Sequence, residues 1–345
     1  MKSFRNIIGS KDNENEDLIY KIVDLQKDFL TQLNLLKKEN DELKTELNKI
    51  KQNNDELIDS LKNELKINKE ILDSYNENFK LLFYFYELKP KSVLKNIQGI
   101  CQQVLDFVVN VCNKHSIEYW LEGGTLLGAV RHEGFLPWDD DIDMGMMRKD
   151  YETFLEVFDS ELKIHGLEKQ IKYRLLRHGK TVLYFVQISY AGVAVLDIFP
   201  YDYIECPPDN IAELYDIEKS KFKNNILNDK SYSEAMDVIY SNLKLSREEK
   251  LYVIPGVERP GPSPFHVQRS EELFPLTKVT FNGREYFGHK NNDYHLQKLY
   301  GDWQDLPKVL ERHNRIYKLK NRPNININLE KKVNALRKIN DTFKD

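Results

Sequence analysis

The sequence has 345 residues, of which 41% are hydrophobic and 31% are charged, so it holds enough apolar material for one large domain or two smaller ones. Its 51 Lys and Arg residues nearly balance its 55 Asp and Glu residues, and the formal net charge of −4 excludes the overall basic field of a typical nucleic-acid-binding protein. The three cysteines (Cys101, Cys112 and Cys206) lack the spacing of a metal finger, which is typical of a reducing compartment.

No apolar run indicates export or membrane insertion. The N-terminal segment lacks an apolar stretch long enough for a signal peptide, and no run approaches the roughly 20 apolar residues that a membrane-spanning helix needs. We therefore expect a cytoplasmic protein without a membrane span. Peripheral contact with the inner face of the membrane stays open.

The first quarter of the chain predicts one long helix. After a flexible N-terminus at residues 1–15, residues 16–88 contain neither proline nor glycine. Two sets of residues recur every seven positions in this segment and predict the a and d positions of a coiled coil. The a series is Leu33, Asn40, Leu47, Asn54 and Leu61, and the d series is Leu36, Leu43, Ile50 and Leu57.

A coiled coil predicts a homo-oligomer. Asn40 and Asn54 fall at a positions, where a buried Asn fixes the register and favours a parallel dimer. The repeat breaks near Glu64 and Leu65, so the number of chains stays open. The alternative interpretation is a solvated or low-complexity charged segment. Pro90 should end the helix and mark the domain boundary.

The second part of the chain predicts a domain over residues 91–325 and a C-terminal helix over residues 326–345. An amphipathic helix is expected from Val93 to His115, followed by a short strand and a turn at Gly123-Gly124. A short helix from Thr125 should then point its N-terminus at this turn. Free backbone N–H groups at such an N-terminus bind phosphate.

A dense acidic segment follows, with four carboxylates in five residues: Asp139, Asp140, Asp141 and Asp143. Like charges this close are unfavourable unless a cation neutralises them. A strand beginning at Asp141 would place Asp139, Asp141 and Asp143 on one side and Asp140 on the other. Asp141 and Asp143 are therefore candidate ligands of Mg²⁺ or Mn²⁺, and Asp139 is either a further ligand or a neighbour of the ligands.

Asp197 is a single carboxylate within the apolar run from Val193 to Pro200. A buried carboxylate is costly unless it is paired or bound to metal. One interpretation is an Asp that caps a turn at the end of a strand. The other, which we favour, is a third carboxylate that meets Asp141 and Asp143 from a neighbouring strand.

The remaining segments predict supporting structure. Pro255 to Pro264 is an irregular loop, and Asn282-Gly283 predicts a hairpin turn. Arg131 is a candidate cation for phosphate or, equally, a surface arginine.

Several motifs in this order resemble the LicD family, which includes fukutin and fukutin-related protein. The resemblance covers residues Val93 to His313. The matching motifs are Glu122 to Gly128, Pro137 to Asp143, Asp197 to Pro200, Phe274 to Leu276, and Tyr300 to Trp303.

The resemblance implies an α+β, nucleotidyltransferase-like fold, with a mixed sheet and flanking helices. It also implies metal-dependent transfer of a phospho-alcohol from a CDP-activated donor, such as CDP-choline or CDP-ribitol, to a hydroxyl of a cell-surface or lipid-linked glycan. Asp141, Asp143 and Asp197 would then hold the metal ion, and Asp197 would also be the candidate general base. Gly123, Gly124, Thr125 and Arg131 would bind the phosphates.

Two other functions fit the residues. The same site could transfer a nucleotide from a nucleoside triphosphate. Alternatively, the chain could be a non-catalytic coiled-coil scaffold, although a silent site has no need to maintain three repelling carboxylates.

Overall fold

The structure is a computed structural model of the chain. It describes residues 2–85, 92–178, 181–190, 194–227, 232–259, 265–305 and 323–343. The chain divides into two compact units, Met1–Asn78 and Phe79–Asp345, and each is described by itself. Among the described residues, no helix combines the length and the apolar character that crossing a membrane requires.

The first unit consists of helix α1, which spans Lys2–Phe85 and continues into the next unit. The helix begins before residue 16 and so includes residues 2–15, which the sequence analysis assigned to a flexible N-terminus. The reason is local, because this stretch contains one glycine, Gly9, and no proline that would interrupt the backbone hydrogen bonds. Pro90, the predicted end of the helix, lies outside the described residues.

The second unit is built on a mixed sheet, as predicted. In chain order its first elements are α2 (Ser92–Lys114), β1 (Trp120–Leu121), α3 (Gly123–His132), β2 (Ile142–Met147), α4 (Arg148–Ile164), β3 (Ile171–His178), β4 (Thr181–Tyr190) and β5 (Ala194–Ile204). These strands have the order β1-β2-β5-β4-β3. The β2–β5 pair is parallel and the other pairs are antiparallel.

The remaining elements extend this sheet and cover it. They are α5 (Ile211–Leu227), α6 (Tyr232–Leu243), β6 (Leu245–Ser246), β7 (Tyr252–Pro255), β8 (Gln268–Arg269), α7 (Ser270–Leu273), β9 (Thr277–Phe281), β10 (Arg284–Gly288), α8 (Asn292–Tyr300) and α9 (Ile325–Asp341). Strands β6 and β7 pair with the second half of β5, so this long strand connects both parts of the sheet. Strands β9 and β10 form the predicted hairpin, with Asn282 and Gly283 at positive φ.

Helix α2 forms the centre of the core, because its apolar residues recur on one face. The side chains on this face are fully buried, and they are Ile97, Ile100, Cys101, Val104, Leu105, Val108, Val111 and Cys112. The C-terminal helix α9 packs against α2 and buries Leu329 and Leu336. The amide of Asn340 donates to the backbone carbonyl of Gln103 at 2.9 Å, so α9 belongs to the same core as the sheet.

A buried arginine joins four segments of the second unit. Arg148, at the start of α4, donates to the two carboxylate oxygens of Asp202 on β5 at 2.8 and 2.7 Å. It also donates to Glu258 in the loop after β7 and to Tyr232 of α6. Only 1% of the Arg148 surface is exposed. Its two carboxylate partners neutralise the cation and raise its pKa well above the ordinary value, although burial alone would lower it.

We expect Arg148→Ala to lower the free energy of unfolding by about 3–5 kcal/mol, because it leaves the Asp202 and Glu258 carboxylates buried without their cation. Urea unfolding followed by circular dichroism measures the change. The matched control is Arg247→Ala. Arg247 pairs with Glu152 at 3.0 Å in an exposed position, so its loss should cost less than about 1 kcal/mol. Equal losses in both variants would contradict the role of Arg148.

Candidate functional site

Two aspartates lie side by side on neighbouring strands. The parallel register of β2 and β5 places Asp143 directly opposite Asp197. Both are half-buried, whereas Ile142 and Ile198 beside them in the chain are fully buried, because successive residues of a strand face opposite sides. This register confirms the predicted meeting of Asp197 with Asp143 across neighbouring strands, whereas the predicted meeting with Asp141, which precedes β2, stays a prediction. On the next strand, Gln187 donates to Asp197 Oδ1 at 3.0 Å and orients the carboxylate.

The acidic segment before β2 is a loop, not the start of the strand. Because β2 begins at Ile142, the alternation expected for Asp139, Asp140 and Asp141 does not apply. One carboxylate oxygen from each of these three residues lies within 4.8 Å of the others, so the prediction that Asp140 points away is wrong. The backbone N–H of Asp140 donates to Asp139 Oδ1 at 3.1 Å, and Gln98 fixes the loop by donating to the carbonyl of Asp139 at 2.8 Å.

The electrostatics of these carboxylates fit a cation site. Burial, followed by the charges of Asp141, Asp197 and Asp139, raises the pKa of Asp143 well above its usual range. Burial and the charge of Asp141 raise the pKa of Asp139 in the same direction. The cluster therefore favours either bound protons or a compensating cation. Hard carboxylate oxygens gathered in this way suit Mg²⁺ or Mn²⁺.

The sequence predicts a turn at Gly123-Gly124 and a helix from Thr125. In the structure both glycines belong to helix α3. A Cβ on Gly123, which has a φ of +54°, would lie 2.8 Å from Asp143 Oδ2. A Cβ on Gly124 would lie 3.0 Å from Asp139 Oδ2. Glycine at both positions therefore lets the N-terminus of the helix approach two carboxylates of the acidic cluster. The positive end of the helix dipole favours negative charge there.

Thr125 positions the strand that carries Asp143. Its hydroxyl accepts a hydrogen bond from the backbone N–H of Asp143 at 2.9 Å, and its side chain is only 2% exposed. The backbone N–H of Glu122 donates to the carbonyl of Asp143 at 3.0 Å. These two hydrogen bonds fix α3 to β2. The first of them already occupies the Thr125 hydroxyl, which the sequence suggested as a phosphate contact.

Arg131 lies at the far end of α3, roughly 12 Å along the helix axis from Gly123. Its guanidinium donates to the backbone carbonyls of Trp303 and Asp305 at 2.9 and 3.0 Å. Burial lowers the pKa of Arg131. The structure thus does not bring Arg131 to the acidic cluster, and this residue holds the segment after α8 instead.

A different arginine lies at the site. Arg259, in the loop after β7, is 8% exposed, and its charge opposes the rise in the pKa of Asp143 that burial and the neighbouring carboxylates cause. Its guanidinium donates to the hydroxyl of Tyr201 at 3.1 Å, lies 3.7 Å from Glu122 Oε1, and faces the ring of Phe199 at 5.2 Å. The Pro- and Gly-rich loop is predicted from the sequence, but the role of this cation is not, and residues 260–264 of the loop lie outside the described residues. The sequence signal that could have identified Arg259 is the presence of an arginine within a Pro- and Gly-rich loop.

Glu122 is the anchor behind Arg259. Trp120 Nε1 donates to Glu122 Oε2 at 3.0 Å, and the Nε2 atoms of His289 and His295 lie 3.3 and 3.0 Å from its two oxygens. Burial raises the pKa of Glu122, but the charge of His295, the hydrogen bonds from both histidines and the charge of Arg259 lower it further, to well below the usual value. Glu122 is therefore ionised and holds Arg259 in place.

The geometry of the two histidines favours a hydrogen-bond network over a second metal centre. Their rings stack with centroids 3.7 Å apart and an interplanar angle of 29°, and both Nε2 atoms point at the same carboxylate. Tetrahedral metal ligands must instead converge on the ion from wide angles. Gln268 contacts the Nδ1 atoms of His289 and His295 at 3.1 and 3.3 Å. Gln268 therefore links both rings and completes the hydrogen-bond network behind Glu122.

Tyr300, in the Tyr-Gly-Asp-Trp motif at the end of α8, borders the same region. Burial and the charges of Asp143 and Glu122 raise its pKa. Tyr300 is nevertheless 45% exposed, so part of its side chain contacts solvent. Tyr300 thus lies within electrostatic range of Asp143 and Glu122.

Comparison with known proteins supports the resemblance seen in the motifs. Residues 116–253 match the family described as "LicD/FKTN/FKRP, nucleotidyltransferase domain". This stretch contains Asp139, Asp141, Asp143 and Asp197. This segment therefore matches the LicD family, whose resemblance the sequence motifs indicated.

The similar proteins share parts of the chain. "Lipopolysaccharide cholinephosphotransferase LicD" of Haemophilus influenzae is 45% identical over 75 residues, which is 22% of this chain and 28% of that protein. "Ribitol 5-phosphate transferase FKRP" of Homo sapiens is 50% identical over 69 residues, 19% of this chain and 13% of that protein. The protein RP689 of Rickettsia prowazekii is 28% identical over 211 residues, 61% of this chain and 58% of that protein. The match thus spans less than two thirds of each relative.

We expect Asp143→Asn to stabilise the metal-free protein, by an amount on the order of 1–3 kcal/mol near neutral pH, because it removes one repelling charge. The raised pKa of Asp143 means that the native state binds more protons than the unfolded state above the ordinary value of 3.8. The free energy of unfolding should therefore fall as the pH rises through this window, and Asp143→Asn should flatten that fall.

Urea unfolding in the presence of a chelator, repeated at several pH values, measures both effects. The matched control is Asp202→Asn, which removes a buried carboxylate that is paired with Arg148 at 2.7 Å. This control should destabilise the protein by several kcal/mol. If both substitutions destabilise the protein, the carboxylates around Asp143 do not repel one another in the native state.

Proposed function

We propose that the protein transfers a phospho-alcohol from a CDP-activated donor to a hydroxyl group of a glycan. The proposal is carried by one observation: Asp143 and Asp197 face each other on parallel strands, beside the acidic loop Asp139 to Asp141 and the N-terminus of α3. The names of the relatives, a choline phosphotransferase and a ribitol 5-phosphate transferase, support the reaction class. Phosphocholine is the first donor group to test.

The proposed metal ligands are Asp141, Asp143 and Asp197, with Asp139 at their edge. Bound Mg²⁺ or Mn²⁺ would neutralise the negative charge of the donor pyrophosphate, which is the main requirement of phosphoryl transfer. Thr125 keeps Asp143 in position through the hydrogen bond from the Asp143 backbone. Gln187 does the same for Asp197.

Two features of the chain fit the donor phosphates. The first-turn N–H groups of α3, at Gly123 and Gly124, offer a site of partial positive charge. Arg259 offers a full charge, and its contacts with Glu122 and Tyr201 preorganise the guanidinium. We therefore assign to Arg259 the phosphate-binding role that the sequence analysis considered for Arg131.

In the proposed reaction, an acceptor hydroxyl oxygen attacks the phosphorus that carries the alcohol. A new oxygen–phosphorus bond forms, and the bond from that phosphorus to the bridging oxygen of the pyrophosphate breaks. CMP leaves with the bridging oxygen. Asp197 takes the proton of the acceptor hydroxyl as the general base, because its carboxylate lies opposite Asp143 and is oriented by Gln187. Because CDP-activated donors are cytosolic, we propose the cytoplasm as the compartment of the reaction.

A second candidate is transfer of a nucleotide from a nucleoside triphosphate, which the family description "nucleotidyltransferase domain" favours. The two reactions release different products. Phospho-alcohol transfer releases CMP, whereas nucleotide transfer releases pyrophosphate. Product analysis therefore separates the candidates in a single assay.

We expect Asp143→Asn and Asp197→Asn each to lower the turnover of the CDP-activated donor by about 10²-fold or more, because each removes a proposed metal ligand. CMP release from CDP-choline, CDP-ribitol, CDP-glycerol and CDP-ethanolamine with Mg²⁺ measures the activity. The control is Asp159→Asn, an exposed position on α4. Near-normal turnover by either site variant would rule out the proposed ligand set.

Arg259→Gln should weaken the binding of CDP in the presence of Mg²⁺ by about 10- to 100-fold, because it removes a charge-assisted contact to phosphate. Arg131→Gln is the control and should leave this affinity nearly unchanged, since Arg131 contacts backbone carbonyls at the other end of α3. Isothermal titration calorimetry with CDP and Mg²⁺ gives both affinities. The opposite ranking of the two variants would restore Arg131 as the phosphate-binding cation.

A further inference from the structure

Helix α1 carries a row of leucine and isoleucine side chains, interrupted by two asparagines, that faces solvent within its own unit. We call this row the seam, and its members are Leu33, Leu36, Asn40, Leu43, Leu47, Ile50, Asn54, Leu57 and Leu61. All of them are exposed, and Leu36 and Leu43 are 62% and 64% exposed. A row of leucines exposed at heptad spacing is unfavourable in water and is the pattern of a helix that packs against another helix.

The charges that flank the seam have a regular order. Lysine occupies the e position of three consecutive heptads, at Lys37, Lys44 and Lys51. Glutamate occupies the g position of two of them, at Glu39 and Glu46. Residues at e and g border the apolar interface of a coiled coil and set the choice and the orientation of the partner.

We infer that the seam binds a second copy of this chain as a parallel, in-register, two-stranded coiled coil. In a parallel pair, each g residue faces the e residue five positions further along the partner helix. Glu39 then faces Lys44 of the second copy, and Glu46 faces Lys51 of the second copy. An antiparallel pair would instead bring g towards g and e towards e, placing glutamate beside glutamate and lysine beside lysine.

The asparagines of the seam fix the register. In a parallel, in-register pair, Asn40 meets Asn40 of the second copy and Asn54 meets Asn54, so their amides can hydrogen-bond across the interface. A shift of one heptad would bury Asn40 against Leu47 or Leu33 and leave the amide without a partner. Asparagine at a positions together with leucine at most d positions favours two strands over three or four.

The existing contacts of the flanking charges do not oppose this arrangement. Lys44 lies 3.6 Å from Asp41 of its own helix, and both side chains are largely exposed. Such a surface pair contributes little, so Lys44 can pair with glutamate of the second copy.

The first test measures orientation and register by cysteine cross-linking in the full chain. The exposed native cysteine is removed by Cys206→Ser. In that background, Leu36→Cys introduces a thiol at a d position, and the control Lys38→Cys introduces one on the outer face. We expect Leu36→Cys to form an interchain disulfide under mild oxidation at least tenfold faster than the control. Equal rates, or no cross-link, would overturn the parallel, in-register pair.

The second test measures association by sedimentation velocity of the full chain. The parent should be a dimer, and a monomer, trimer or tetramer at micromolar concentration would overturn the proposal. The double substitution Glu39→Lys with Glu46→Lys should weaken the dimer about tenfold or more, because lysine then faces lysine. The reciprocal pair Lys44→Glu with Lys51→Glu should do the same.

Mixing the two charge-reversed chains provides the control for folding. The mixture should regain a dimer of nearly parental affinity, because every facing pair is again of opposite charge. Circular dichroism checks that each variant keeps its helix content. Charge-reversed chains that associate as well as the parent, or a mixture that stays monomeric, would contradict the e–g pairing.

Discussion

The repulsion between carboxylates is the constraint on which the second unit depends. Asp143 and Asp197 share a register on adjacent strands, and Asp139 to Asp141 lie together in the preceding loop. Groups with partial or full positive charge lie close to these carboxylates. The N-terminus of α3 reaches the carboxylates because two glycines omit their side chains, and Arg259 adds a guanidinium. A metal ion would complete this balance.

The position of Arg259 depends on contacts that are remote from the acidic cluster. Glu122, at the N-terminus of α3, is held by Trp120 and two stacked histidines, and it binds Arg259 on its other side. The residue that precedes Gly123 thus organises a cation, while Gly123 itself makes room for an anion. One short segment of the chain therefore leaves room for the acidic side of the site and supports its basic side.

Local patterns were sufficient to predict much of this arrangement. The periodicity of α2, the hairpin at Asn282, and the meeting of Asp197 with Asp143 followed from spacing and burial. The prediction for Asp140 was wrong because strand alternation holds only inside a strand, and β2 begins two residues later. Arg131 and Arg259 could not be ranked from sequence, because their difference arises from tertiary contacts with segments more than 50 residues away.

The adjacent residues Glu258 and Arg259 give the loop after β7 two anchors in different hydrophobic clusters. Glu258 binds Arg148 of α4 and Tyr232 of α6, whereas Arg259 binds Tyr201 and Glu122 at the site. If the packing of α5 and α6 loosens, Glu258 moves with Tyr232. Because Arg259 is the next residue in the chain, its guanidinium moves as well. Heat or a remote mutation in these two helices would displace Arg259 while the rest of the protein is still folded, so the fraction of folded protein would exceed the fraction with an intact arrangement of Arg259 and Glu122.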